Sequence, residues 1–199
     1  MASGNRGFFE KLDMDNIITE KLKGFELKFK TRPGVFSQHG VDEGSKLLIE
    51  TVDIRDGTII ADLGCGAGVI GLVAAKLNPY GHVHLLDSNI RAINLANENV
   101  DLNKFRNVEV FLSDLFSAVG ERTYHQILVN PPQDLGNDFF EELAAESFKH
   151  LKPKGETVWV VQSHFAPFIE KLFKQVFKNA EVIKRGKIHV VIKGVKNGQ

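Results

Sequence analysis

The chain predicts an α/β fold with a doubly wound, mostly parallel sheet. Two observations carry that expectation. From residue 57 onward, short apolar runs alternate with helical segments, the pattern of strands linked by crossover helices. The first of these runs also ends in a glycine-rich turn that opens directly into an apolar helix. Strands are expected near 57–62, 82–86, 107–111, 125–129 and 156–161, and helices over 69–77, 89–102, 137–150 and 166–178. At the C-terminal end, 181–183 and 188–192 are apolar and joined by Lys184-Arg185-Gly186-Lys187, which reads as a hairpin. One hairpin strand should then run antiparallel to the rest, in a sheet of seven strands.

Upstream, residues 1–23 carry mixed charges with Phe8, Phe9, Leu12, Ile17 and Ile18, and read as an N-terminal arm or short helix. Phe25, Leu27 and Phe29 alternate with Glu26, Lys28 and Lys30, the period of a half-exposed strand. A Pro-Gly turn at Pro33-Gly34 follows, carrying Phe36, and 41–53 has a helical pattern. The expected organisation is an N-terminal arm over 1–23 and a single domain over 24–199, with a short N-terminal strand/helix extension ahead of the sheet.

Composition narrows the options. With 199 residues, 43% of them hydrophobic, the chain is long enough for one well-buried domain. Basic and acidic residues balance at 25 each, so no global field draws it to nucleic acid or membrane, and an RNA contact must come from a local patch. Cys65 is the single cysteine, which excludes an internal disulfide and suits a reducing compartment. No apolar run approaches the ~20 residues of a membrane span, and the first residues lack a signal-peptide core. A cytoplasmic protein is expected.

The chemistry gathers at strand ends. The run ending at Asp62 is followed by Gly64, Gly66 and Gly68 at alternate positions, a turn that lets backbone pass close beneath a nucleoside cofactor. A carboxylate opening the turn suits a cofactor bearing an ammonium and a sulfonium and repels a pyrophosphate. The second strand ends in Asp87-Ser88-Asn89, where an acid accepts from ribose hydroxyls. S-adenosylmethionine matches both acids, whereas NAD matches only the second. The third strand runs into Ser113-Asp114-Leu115, and the fourth ends in Asn130-Pro131-Pro132-Gln133.

This series resembles that of class I S-adenosylmethionine-dependent methyltransferases, and Asn-Pro-Pro is characteristic of those that methylate an amino or amide nitrogen. Pro33-Gly34-Val35-Phe36-Ser37 with Val41-Asp42, Gly44-Ser45 and Leu47-Leu48 is similar to a segment of the small-subunit rRNA guanine-N2 methyltransferases and their short archaeal relatives. The resemblance covers about residues 24–193 and implies a Rossmann-like fold. It implies that Asp62 and the backbone at Gly64, Gly66 and Gly68 hold the methionine moiety, and that Asp87, with Ser88 beside it, binds the ribose. Asp114 would accept from the adenine amine with Leu115 packing nearby, and Asn130 and the Pro131 carbonyl would hold the target nitrogen on a loop stiffened by Pro132. The family usually places an aromatic after Asn-Pro-Pro to stack on the base; here it is Gln133, and Phe36 is the candidate to supply a face instead.

The implied function is methyl transfer to an exocyclic amine, guanine N2 of ribosomal RNA in the leading reading. A protein amide, a small-molecule nitrogen, or a catalytically silent cofactor-binding scaffold are the alternatives. No metal is expected: the seven histidines show no ligand spacing, and His82 and His84 alternate on one strand. Cys65 reads as a small packed side chain rather than a nucleophile. Phe168, Leu172, Phe173, Val176 and Phe177 form a core-type stripe. Lys152, Lys154, Lys184, Arg185 and Lys187 cluster in loops and read as solvated surface, with a phosphate contact as the alternative.

Overall fold

The computed structural model describes residues 16–32, 40–132 and 135–198. A seven-stranded sheet has the order β5-β4-β3-β6-β7-β9-β8. Its members are β3 (Ile59–Leu63), β4 (His82–Asp87), β5 (Val108–Leu112), β6 (Tyr124–Val129), β7 (Leu151–Gln162), β8 (Glu181–Arg185) and β9 (His189–Val195). β5, β4, β3, β6 and β7 pair in parallel, and β9 is antiparallel to both β7 and β8. The expected antiparallel strand of the C-terminal hairpin is therefore β9.

Among the described residues, five α-helices flank this frame: α1 (Glu43–Thr51), α2 (Val69–Leu77), α3 (Ile90–Leu102), α4 (Asn137–His150) and α5 (Ala166–Val176). Strand residues alternate strictly between two apolar layers, because successive side chains leave opposite faces of a strand. Ile60, Val83, Leu85, Leu128, Val158, Val160 and Val191 pack with α1, α2 and α3. Ala61, Leu86, Ile127, Val129, Trp159, Val161 and Ile192 pack with α4 and α5, whose Leu172 and Phe173, with Phe177 just beyond, come from the stripe expected of a core helix. Both faces are covered, which is why these strands read as nearly continuous apolar runs.

Two expectations are corrected. Residues 16–22 are neither helix nor unstructured arm: β1 (Asn16–Leu22) pairs antiparallel with β2 (Phe25–Thr31) along its full length, in a separate two-stranded sheet. Lys23 and Gly24, both with positive φ (50° and 83°), make the tight two-residue turn whose twist matches the strands. The adjacent Ile17 and Ile18 hid the period of two. The arm expectation for 1–15 lies outside the described residues. The fifth strand also starts five residues early: Leu151 pairs with Tyr124, then the ladder resumes at Glu156 opposite Gln126, so 152–155 bulge out.

The hairpin of β1 and β2 is fastened to α3. Asn99, fully buried, accepts from the Lys30 N–H at 2.7 Å and donates to the carbonyls of Lys30 (3.3 Å) and Ala67 (3.0 Å). Glu98 pairs with Lys30 and Arg32, each at 2.9 Å, and these cations hold its carboxyl below the usual range. The hairpin is thereby tied both to α3 and to the glycine turn.

Candidate functional site

The order of the sheet reverses between β3 and β6, so the loops leaving these two strands diverge and open a crevice at their carboxyl ends. A cleft of about 220 Å³ lies there. Its apolar wall is Leu63, Leu86, Val129, Phe139 and Leu143; its polar rim comes from Asp87, Ser88, Ser113, Asp114 and Asn130, with Gly64, Leu115, Pro131, Pro132 and Leu135 completing it. Four consecutive parallel strands thus each deliver a group to one cleft, as their sequence suggested.

Asp87 is held rigidly. Its Oδ2 accepts from the Gly66 N–H at 2.9 Å and its Oδ1 from the Asn89 N–H at 2.8 Å. Each carboxylate oxygen keeps a further lone pair for a ligand hydroxyl. The N-cap of α3 is Asn89, whose side chain accepts from the Arg91 N–H, so Asp87 is not consumed by capping. Asp114 and Leu115 are presented by a strained turn: Leu115 has φ 46°, and the Ser113 hydroxyl donates to the Leu115 carbonyl (2.8 Å) and accepts from the Ala118 N–H (3.1 Å).

Asp62, Gly66 and Gly68 are not among the residues lining the cleft. Asp62 is 1% exposed, and its Oδ2 accepts from the Gly71 N–H at 2.8 Å, capping the first turn of α2. Gly68, at φ 84°, makes the left-handed step into that helix, a backbone state glycine adopts without strain. The other oxygen, Asp62 Oδ1, is buried without a partner among the described residues. Burial pushes the Asp62 carboxyl up to about 7; the Gly71 N–H opposes the rise and the nearby Asp87 charge adds to it. Cys65 is buried in the same turn, and burial raises its thiol well above the usual range, so it is a packed side chain and no thiolate nucleophile.

Asn130 stands at the end of β6. Its Nδ2 donates to Ser45 Oγ at 3.0 Å and to Asp42 Oδ1 at 3.2 Å, both at the start of α1. Asp42 is also the N-cap of that helix, accepting from the Ser45 N–H at 2.9 Å. In the sequence Asp42 and Ser45 stood out only within the segment that carries the family resemblance, and nothing there signalled their meeting with Asn130. Gln133 and Phe36 lie outside the described residues; among the described residues Phe139 is the aromatic that lines the cleft.

A larger hollow of about 440 Å³ lies at the opposite, amino-terminal edge of the sheet, among His82, His84, Glu109, Glu121, Arg122 and Lys152. Its charges are of mixed sign. His84 there is occupied structurally, with Nδ1 3.0 Å from the Tyr124 hydroxyl, and burial lowers its pKa.

The methyltransferase small domain family matches residues 26–193. The chain belongs to that family. Among its relatives, the YbxB protein of Bacillus subtilis is 36% identical over 182 residues, which is 88% of this chain and 89% of that protein. The ribosomal RNA small subunit methyltransferase C of Vibrio cholerae is 39% identical over 158 residues, covering 76% of this chain but only 45% of the relative. The chain therefore spans about half the length of the rRNA methyltransferases it matches. A solved T. thermophilus 16S rRNA N2 methyltransferase, in complex with AdoMet and guanosine, superposes with a TM-score of 0.82 at 23% identity, over 92% of this chain and 50% of that one. This likeness confirms the Rossmann-like methyltransferase fold.

Proposed function

We propose that this methyltransferase-family chain uses S-adenosylmethionine to methylate an exocyclic amine, guanine N2 of ribosomal RNA. The observation that carries the reading is the convergence of Asp87, Asp114 and Asn130-Pro131-Pro132 on one cleft. It is supported by the rRNA methyltransferases named among the relatives.

The residues fit the cofactor. Asp62 Oδ1, a buried acceptor lacking a partner among the described residues, and the open Gly64 turn suit the methionine end; Asp87 suits the ribose; Asp114 and Leu115 suit the adenine. When bound, S-adenosylmethionine supplies an electrophilic methyl group and a good leaving group in the thioether. The protein's own part is positioning. The lone pair of a guanine amine is delocalised into the ring, so the amine is a poor nucleophile. Asn130 Oδ1 and the Pro131 carbonyl, each accepting one N–H, hold the nitrogen so that its lone pair is free to form the new N–C bond. Alignment of this kind is worth roughly 7–11 kcal/mol of a barrier. No strong base is needed, because the alkylated nitrogen is acidic and loses its extra proton to water.

The sheet supports an RNA contact at its carboxyl-terminal edge. β8 runs parallel to the central strands, so Lys184, Arg185 and Lys187 lie at the cleft edge, while Lys152 and Lys154 lie at the opposite one. The five lysines and arginines grouped in the sequence therefore separate. Lys184, Arg185 and Lys187 are exposed, and Gly186 sits so close to α1 that a Cβ would fall 2.9 Å from Leu47 Cδ2. Replacing the three cations by Ala should weaken RNA binding and flatten its salt dependence by roughly 0.7–0.9 for each phosphate no longer neutralised. Filter binding across a salt series reads this; an unchanged slope would remove the hairpin from the interface.

Asp87→Ala should weaken cofactor binding by about tenfold or more, since it removes a charged acceptor and releases the Gly66 and Asn89 N–H groups. Calorimetric titration checks it, and undiminished affinity would end the ribose assignment. The function itself is tested by transfer of labelled methyl groups into fractionated RNA and protein. Label in small-subunit rRNA supports the reading, whereas label confined to protein or small molecules refutes the substrate.

A further inference from the structure

We propose that Asp42 and Ser45 are positioning residues of the reaction, turning the Asn130 amide so that its oxygen is presented to the target amine. The inference rests on the proposed role of Asn130 and deepens it. An Asn side chain has two faces of opposite character, and only one of them serves: an NH2 group turned toward a substrate amine would set donor against donor. Which face is presented is decided by what the other face meets. Here it meets a carboxylate oxygen at 3.2 Å and a hydroxyl at 3.0 Å. A carboxylate only accepts, so the atom facing Asp42 must be the nitrogen, and the amide cannot turn over without setting two acceptors against each other. The amide oxygen is left with no partner among the described residues, and Asn130 lines the cleft.

The clamp is itself fixed from both sides. Asp42 Oδ1 is held by the Ser45 N–H at 2.9 Å as the cap of α1. The preceding residue, Val41, donates its N–H at 3.1 Å to Glu20 Oε1 of β1, and Glu20 also pairs with Lys46 at 3.3 Å. Asp42 does more than orient. As the target nitrogen forms its new bond it becomes cationic, and its N–H groups become stronger donors. A carboxylate behind the amide polarises the oxygen in front, so the chain from carboxylate through amide to amine strengthens as that charge develops. An interaction that tightens along the reaction raises turnover rather than affinity.

Four variants test this. Ser45→Ala removes one acceptor while leaving the backbone N–H that Asp42 caps, and alanine is a good helix former. Asp42→Ala removes the other acceptor and the cap. Both should lower kcat, Asp42→Ala by about a hundredfold, the scale of a misplaced reacting group, with the cofactor Kd moved by less than about threefold. Asn130→Asp sets two carboxylates face to face and should be at least as impaired as Asp42→Ala. Combining it with Asp42→Asn restores a donor facing an acceptor and again leaves an oxygen toward the cleft, and should recover about tenfold or more over Asn130→Asp alone. The Asn130 side-chain amide signals in a nitrogen-15 spectrum, assigned by their loss in Asn130→Asp, should shift in Ser45→Ala and Asp42→Ala whatever the substrate proves to be. Unmoved amide signals, an unchanged kcat in Asp42→Ala, or no recovery in the double variant would overturn the proposal. Failure of the wild-type protein to methylate RNA, with the amide signals shifting as expected, would instead refute the substrate reading alone.

Discussion

Asn130→Ala should lower turnover by about 10²–10³-fold, the range found when one preorganised transition-state interaction is removed, while cofactor affinity stays within about threefold. The cofactor is expected to rest on Asp87, Asp114 and the glycine turn, which Asn130 does not support: its hydrogen bonds run to α1, away from all three. The target amine, by contrast, is deprived of one of its two acceptors. Its nitrogen then relaxes toward planarity with the ring, and the lone pair turns away from the methyl group. Stability should change little, because Asn130 is only partly buried, so water can reach the Asp42 and Ser45 groups it leaves behind. Single-turnover methyl transfer beside calorimetric cofactor titration separates the two effects. A variant that turned over normally would take Asn130 out of the mechanism, and one that failed to bind cofactor would move it to the binding site.

What the sequence revealed, and what it withheld, follows the range of the interactions. The turn from Asp62 to Gly68 is local: one strand, alternate glycines and an apolar helix within about a dozen residues fix its shape, and the structure reproduces it. Asp87, Asp114 and Asn130 were legible because parallel strands bring their carboxyl ends to one edge, so a polar residue ending each strand is placed by topology alone. Long-range pairings had no such signal. Asp42 and Ser45 meet Asn130 across more than 80 residues of chain, through the seating of α1 against the sheet. The same limit let the cationic residues of 152–154 and 184–187 look like one group, although the sheet carries them to opposite edges. β1 was missed for a different reason: it is the exposed member of a two-stranded ladder, with one of its own seven residues buried, so its alternation is faint.

The Asp62 carboxyl gives the second large effect, and its sign is fixed by burial. Its ordinary value is 3.8, and in the folded protein it rises to about 7, chiefly because the charged form is stripped of its water. Between these values the native state holds a proton that the unfolded chain has released. Stability from this group is therefore full below about pH 4, declines as pH rises, and is gone above about pH 7. The decline is on the order of 4 kcal/mol, at the standard ~1.4 kcal/mol per tenfold change in proton affinity. Asp62→Asn keeps an acceptor for the Gly71 N–H and cannot ionise, so urea unfolding at pH 5 and pH 8 should show a smaller loss of stability than in the wild type. Cofactor binding should run the other way. An ammonium placed against Asp62 Oδ1 favours the carboxylate and draws its proton off, so wild-type affinity should strengthen from pH 5 to pH 7 and then level, while Asp62→Asn binds weakly with less change over the same span. Parallel affinity profiles in the two proteins would leave Asp62 as a cap of α2 alone. Opposed slopes of stability and affinity would mean that the buried Asp62 Oδ1 costs the fold stability and contributes it again when a cation is bound.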